Sequence, residues 1–147
     1  MRNVFTENGN GKFGKNIDLL IPIIKEKEYQ IESFVMGYHV YRNIWSPKEK
    51  DILNTEIELS NVMDKFAVVI KNNTTTVGHL PKGKTGRFCK TVFYFLKIEN
   101  TSCKVVITSQ KTVNLGDGLG MRIPCKLIFR GQSQFVDILE QEFCKHE

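Results

Sequence analysis

The stretch from Phe66 to Leu80 constrains the fold most. Phe66-Ala67-Val68-Val69-Ile70-Lys71 is apolar and β-branched, Asn72-Asn73 is a turn pair that tolerates left-handed dihedrals, and Thr74 to Leu80 returns. A chain that builds this hairpin creates strand edges that must be paired or covered. The remaining sequence offers the partners. Ile31 to Tyr41 is rich in aromatic and β-branched residues and reads as a strand, and Thr55-Glu56-Ile57-Glu58-Leu59 alternates with period two. Cys103 to Thr108 and Ile123 to Phe129 return to β character across a Gly-rich turn at Gly116-Asp117-Gly118-Leu119-Gly120. Leu19-Leu20-Ile21-Pro22-Ile23-Ile24 holds an internal proline and reads as an edge strand or a packed extended segment.

Two segments carry a helical period instead. Between Thr85 and Lys97, Phe88, Val92, Phe95 and Leu96 recur at spacings of three and four while Arg87 and Lys90 fall elsewhere on the wheel. Phe135, Ile138, Leu139, Glu142 and Phe143 predict a closing helix. The expected fold is mainly β: a small antiparallel barrel or curled sheet of about six strands, with one central amphipathic helix and a C-terminal helix. The 147 residues suit one domain, expected over 17–147 with its core over 31–131, behind a Gly/Asn-rich flexible leader over 1–16.

Charge is uneven along the chain. From Lys65 to Gly116 there are nine cations against one acid, Glu99, although the whole chain carries only +5. A polyanionic partner fits this half. No long apolar run predicts a membrane span, and the first residues lack the layout of a secretory signal, so a nuclear or cytoplasmic rather than secreted location is expected. Cys89, Cys103, Cys125 and Cys144 form no Cys-x-x-Cys pair and read as reduced, mostly buried thiols, with no metal or other cofactor expected. No Ser-His-Asp, Cys-His or paired-carboxylate spacing marks an enzyme.

Gly78-His79-Leu80-Pro81-Lys82-Gly83-Lys84-Thr85 matches the phosphate-loop pattern G-x-x-x-x-G-K-[ST]. There, Lys84 would meet the β and γ oxygens and Thr85 would hold Mg²⁺. Such loops belong to parallel α/β cores with a second, metal-holding acid, whereas this chain reads as antiparallel hairpins. Nucleotide binding at 78–85 therefore ranks behind the readings below.

Four segments, in order, resemble the HIRAN domain of DNA-remodelling and helicase-like proteins: Val35-Met36-Gly37-Tyr38-His39-Val40-Tyr41, Asn61-Val62-Met63-Asp64-Lys65-Phe66-Ala67-Val68-Val69-Ile70, Val77-Gly78-His79-Leu80 and Ile123-Pro124-Cys125-Lys126-Leu127-Ile128-Phe129. The middle two follow the family pattern Asn-Pro-x-Asp-x-x-Ala-(apolar), a turn, then (apolar)-Gly-(His/Tyr)-(apolar), with Val62 in place of the proline. The resemblance implies an OB-like barrel and a domain that binds single-stranded DNA at its 3′-hydroxyl end.

It also implies roles. His39 and Tyr41 match a basic residue and a stacking tyrosine, Asn61 and Asp64 an end-reading polar pair, His79 and Lys82 the phosphate contacts, and Phe129 an aromatic that packs on a base. Lys84 and Arg87 extend the basic patch that runs from Lys82 to Lys90. Val40 and Met63 stand where the family offers further aromatic rings.

Each residue has a plainer reading too. Asp64 can cap an Asx turn, His39 and His79 can be satisfied strand histidines, and Phe129 can be core at the end of an alternating run. Lys82, Lys84, Arg87 and Lys90 can be a wet helix start, and Trp45-Ser46-Pro47 a packed corner. Tyr38 and Tyr41, an odd number of positions apart, would face opposite ways on a strand. The leading expectation is a non-catalytic module that binds single-stranded DNA, with RNA as a possible substitute, through a cleft of Tyr41, Asp64, His79 and Phe129. The alternative is a protein-interaction domain using a sheet edge or an apolar groove.

Overall fold

The computed structural model describes residues 25–83, 85–114 and 121–145, without the side chains of His39, Val113, Asn114 and Met121. The leader over 1–16, the Leu19–Ile24 segment, Lys84 and the Gly116–Gly120 turn lie outside these residues. Strands β1 (Glu26–Val35), β2 (Ile52–Ile57), β3 (Val68–Asn72), β4 (Thr75–His79), β5 (Ser102–Ile107), β6 (Val113–Asn114) and β7 (Met121–Gln132) are joined by helices α1 (Tyr38–Tyr41), α2 (Arg87–Leu96) and α3 (Ser133–Lys145).

Every pairing is antiparallel, in the order β1-β7-β5-β2-β3-β4, with the short β6 also on β7. The alternation expected for half-buried strands is present. Ile123, Cys125, Leu127 and Phe129 of β7, and Cys103, Val105 and Ile107 of β5, turn to the core, while the residues between them do not. The β3–β4 hairpin turns at Asn73, whose φ of 59° is the left-handed geometry that asparagine tolerates.

The sheet curls far enough for its two edge strands to touch, but it does not close as a ladder. Contact is a single bridge, in which the Met36 and His79 amides each donate to the other's carbonyl at 2.9 Å. Gly78 makes this approach possible, since a Cβ there would sit 2.5 Å from Val35 Cγ1 and 2.8 Å from the Met36 carbonyl oxygen. The glycine of the (apolar)-Gly-(His/Tyr) pattern thus serves the seam between strands. It is also the first glycine of the phosphate-loop pattern, and an antiparallel strand with its glycine buried against a neighbour is not the context that motif requires.

One strand expectation fails. β1 ends at Val35, because Gly37 adopts φ 77° and turns the chain into the one-turn helix α1, so Tyr38 to Tyr41 are helical despite their strand-like composition. Tyr38 then meets Trp45 edge-on at 5.9 Å, and the indole is buried as a packed corner.

Helices α2 and α3 pack against the sheet, α2 beside β2 and β3 and α3 beside β1 and β7. The N-cap of α2 is Gly86 at φ 77°, and the carbonyls of Phe95, in its last turn, and of Ile98, just beyond it, each lie 2.8 Å from the Thr101 hydroxyl. The helix buries Cys89, Val92, Phe93 and Phe95 against the sheet, while α3 buries Val136, Leu139 and Phe143.

Candidate functional site

The Asn61 to Ala67 segment forms two nested turns. The Asn61 side-chain oxygen accepts from the amides of Met63 and Asp64, both at 2.9 Å, while its amide nitrogen donates to Glu58 Oε1 at 2.9 Å. Asp64 Oδ1 accepts from the Phe66 amide at 3.1 Å, and the Ala67 amide donates to the Asp64 carbonyl at 3.2 Å. The spacing Asn-x-x-Asp-x-x-Ala is therefore a folding device first: asparagine and aspartate supply short acceptors where the backbone has none. The two members of the expected polar pair then differ. Asn61 is held within the turn at both polar ends, whereas Asp64 keeps Oδ2 for another partner, 3.6 Å from Lys82 Nζ.

This turn forms one wall of a furrow of about 860 Å³ across the β1–β4 seam. Asn61, Met63 and Asp64 line it together with Met36 from the end of β1, His79 and Lys82 from the exit of β4, and Arg122 from β7. The Tyr41 ring lies 6.5 Å from that of His79, so α1 adds an aromatic beside the furrow. The Lys82 side chain is 70% exposed and that of Asp64 only 24%, which leaves an exposed cation beside a seated acid. Cys89 lies at the base of the furrow. Its thiol donates to the Phe66 carbonyl at 2.9 Å, and burial pushes its pKa up to about 11. Burial thus favours the protonated thiol at neutral pH, which is a poor nucleophile.

Five of the expected residues, Tyr41, Asn61, Asp64, His79 and Lys82, thus come to one place. His39 shares the turn of α1 with Tyr41. Arg87 does not join them. It lines a second groove between α2 and α3, so the basic patch divides at the loop before α2. Phe129 is a correction: it is fully buried, with ring centroids 5.5 Å from Phe143, 5.8 Å from Phe95 and 6.5 Å from Tyr29. It joins β1, β7, α2 and α3 into one aromatic cluster and no base can reach it.

Sequence reasoning missed Arg122, whose guanidinium carbon stands 5.8 Å over the Phe34 ring. Its only sequence signal was a cation directly before the buried run that begins at Ile123. Val40 and Met63, the departures from the aromatic pattern, are 66% and 91% exposed, leaving aliphatic side chains on the surface where rings were expected. Among the described residues no group of three His, Cys, Asp or Glu side chains is placed to hold a metal ion, and no helix is long and apolar enough to cross a membrane.

No family model matches the sequence, and no curated protein does. Solved structures do. The chain is similar to the crystal structure of the HIRAN domain of human HLTF, with a TM-score of 0.60 at 19% identity, covering 80% of this chain and 88% of that one. It is also similar to the NMR structure of the HLTF HIRAN domain in its DNA-bound conformation, with a TM-score of 0.57 at 18% identity, covering 83% and 92%. The fold is HIRAN-like, as the four sequence segments implied.

Proposed function

We propose that the furrow binds single-stranded DNA and reads its free 3′-hydroxyl end, without catalysing a reaction on it. The observation that carries this reading is convergence: on a fold shared with a domain solved in a DNA-bound conformation, Asp64 from the turn before β3 meets His79 and Lys82 from the exit of β4 at one furrow beside the Tyr41 ring. Asp64 Oδ2 is an acceptor for a terminal hydroxyl, and Lys82 is then drawn to the adjoining phosphate. A strand that continued would bring its next phosphate against the same carboxylate, like charge on like charge. One acid in a cationic furrow thereby separates an end from a middle. With Val40 and Met63 in place of rings, each missing base stack lowers the binding free energy by about 1–3 kcal/mol, so the affinity is modest.

Fluorescence anisotropy with a labelled oligonucleotide tests the proposal. Affinity falls as salt rises, and Lys82→Ala lowers the magnitude of the log–log salt slope by about 0.7, the share of one phosphate on a single strand. A 3′-phosphate weakens binding at least about tenfold, the scale of one lost charge-assisted hydrogen bond. Equal affinity for 3′-hydroxyl and 3′-phosphate strands removes end reading, and binding indifferent to salt removes the nucleic-acid reading.

A protein-interaction role has its own support in the groove of about 760 Å³ between α2 and α3, bordered by Tyr94 and Ile138, which are 50% and 56% exposed. It ranks second because it leaves the Asp64 furrow without a purpose.

A further inference from the structure

We infer that Arg122 forms an anion subsite in the furrow, docking a phosphate side-on through its Nε–H and an Nη–H. The inference rests on the nucleic-acid reading for the identity of the natural ligand, but not for the chemistry of the subsite. Three observations carry it. Nε of Arg122 is a buried donor with no hydrogen-bond acceptor, the one such side-chain atom found among the described residues. A buried polar atom without a partner is uncommon in a folded protein, and here the missing partner must be an acceptor. Arg122 also lines the same furrow as His79 and Lys82, so an acceptor entering there meets further donors and a second positive charge.

The third observation is that the side chain is held from both ends. At the backbone, Arg122 pairs with Val113 in the β6–β7 ladder, and the next residue, Ile123, is fully buried opposite Val35. At its tip, the guanidinium stands over the Phe34 ring. A planar fork held in this way matches two oxygens of a tetrahedral anion, a geometry that lysine cannot supply. Lys82 differs in each respect. It is largely exposed and already has the Asp64 carboxylate at 3.6 Å, so it supplies charge to the furrow rather than a fixed docking angle. On this assignment Asp64 faces the terminal hydroxyl and Arg122 grips a backbone phosphate, which together set the direction of the strand.

The test compares the Arg122→Lys, Arg122→Gln and wild-type chains. A 3′-hydroxyl oligonucleotide is titrated by anisotropy, and Arg122 Nε–H is followed by NMR while inorganic phosphate and then the oligonucleotide are added. The expected result is a loss of affinity of roughly ten- to a hundredfold for Arg122→Lys, close to that of Arg122→Gln although the charge is kept. The Nε–H resonance of wild type moves with both ligands, and both variants keep the cooperative thermal transition of a folded chain without ligand. Wild-type affinity in Arg122→Lys, or an Nε–H resonance that ignores both ligands, overturns the assignment while leaving DNA binding standing. If wild type binds no oligonucleotide but Nε–H still moves with phosphate, the anion subsite holds and the nucleic-acid reading falls.

Discussion

Replacing Gly78 with alanine asks whether the seam between the edge strands holds the furrow in shape. The new Cβ would stand 2.5 Å from Val35 Cγ1 and 2.8 Å from the Met36 carbonyl oxygen, where ordinary contact begins at 3.4 Å. Val35 is fully buried and cannot retreat, so the Met36 backbone must yield by several tenths of an ångström. That carbonyl accepts from the His79 amide at 2.9 Å, and the Met36 amide returns the bond, so the whole bridge is strained or lost. Overpacking contributes about 1–3 kcal/mol and the two hydrogen bonds about 0.5–1.5 kcal/mol each, against about 0.5–1 kcal/mol regained from the stiffer unfolded backbone. The expected destabilisation is about 1–5 kcal/mol, or roughly 0.5–2 M in urea midpoint for a domain of this size. Trp45 is the chain's single tryptophan and is buried, so its fluorescence reports the transition. A midpoint unchanged in Gly78→Ala would refute the argument, as would oligonucleotide affinity that survives while the bridge is lost.

Two further outcomes follow from the packing and the charges. Phe129→Ala empties the centre of the aromatic cluster and destabilises the chain by about 3–5 kcal/mol in the same urea assay, and a loss of DNA affinity in variant protein that remains folded would restore it as a contact residue. The Arg130 hydrogen bond, followed by that of Gln30, holds the Glu28 carboxyl below its ordinary pKa of 4.5. A depressed folded-state pKa means stability present above the unfolded value and lost as pH falls through the folded one. The urea midpoint of wild type therefore exceeds that of Glu28→Gln at neutral pH by a small, salt-sensitive margin that shrinks below pH 4.5. A margin that widens on acidification would contradict the pairing.

Much of the β architecture was legible because alternation is a direct image of a half-buried strand. β3, β4, β5 and β7, and both long helices, stand close to where periodicity places them. The error at Tyr38 to Tyr41 has a local cause. Their composition favours a strand, and only Gly37, with its left-handed φ, marks the break. That the curled sheet stops at a single bridge instead of closing as a ladder was not legible either, since a sequence pattern specifies faces and not how many edge residues finally meet.

The candidate site divides on the same line. The Asn61 to Asp64 turn and the His79–Lys82 segment were legible as motifs because local hydrogen bonding fixes their form. Phe129 was misassigned because alternation says that a residue faces one side, not which side a ligand approaches. Arg122 was invisible, as its relation to Phe34 and His79 is set by strand pairing between distant parts of the chain.

That dispersion has a consequence for how the protein can be divided. The furrow draws on the last residue of the first edge, a turn midway, the exit of the hairpin and a strand formed late in the chain. A version of this polypeptide ending before residue 121 would lack β7, and with it Arg122 and the fully buried Ile123, Leu127 and Phe129, so no such piece would inherit the proposed recognition of the whole. Two halves severed in the loop after Ile107 regain it only by reassembling.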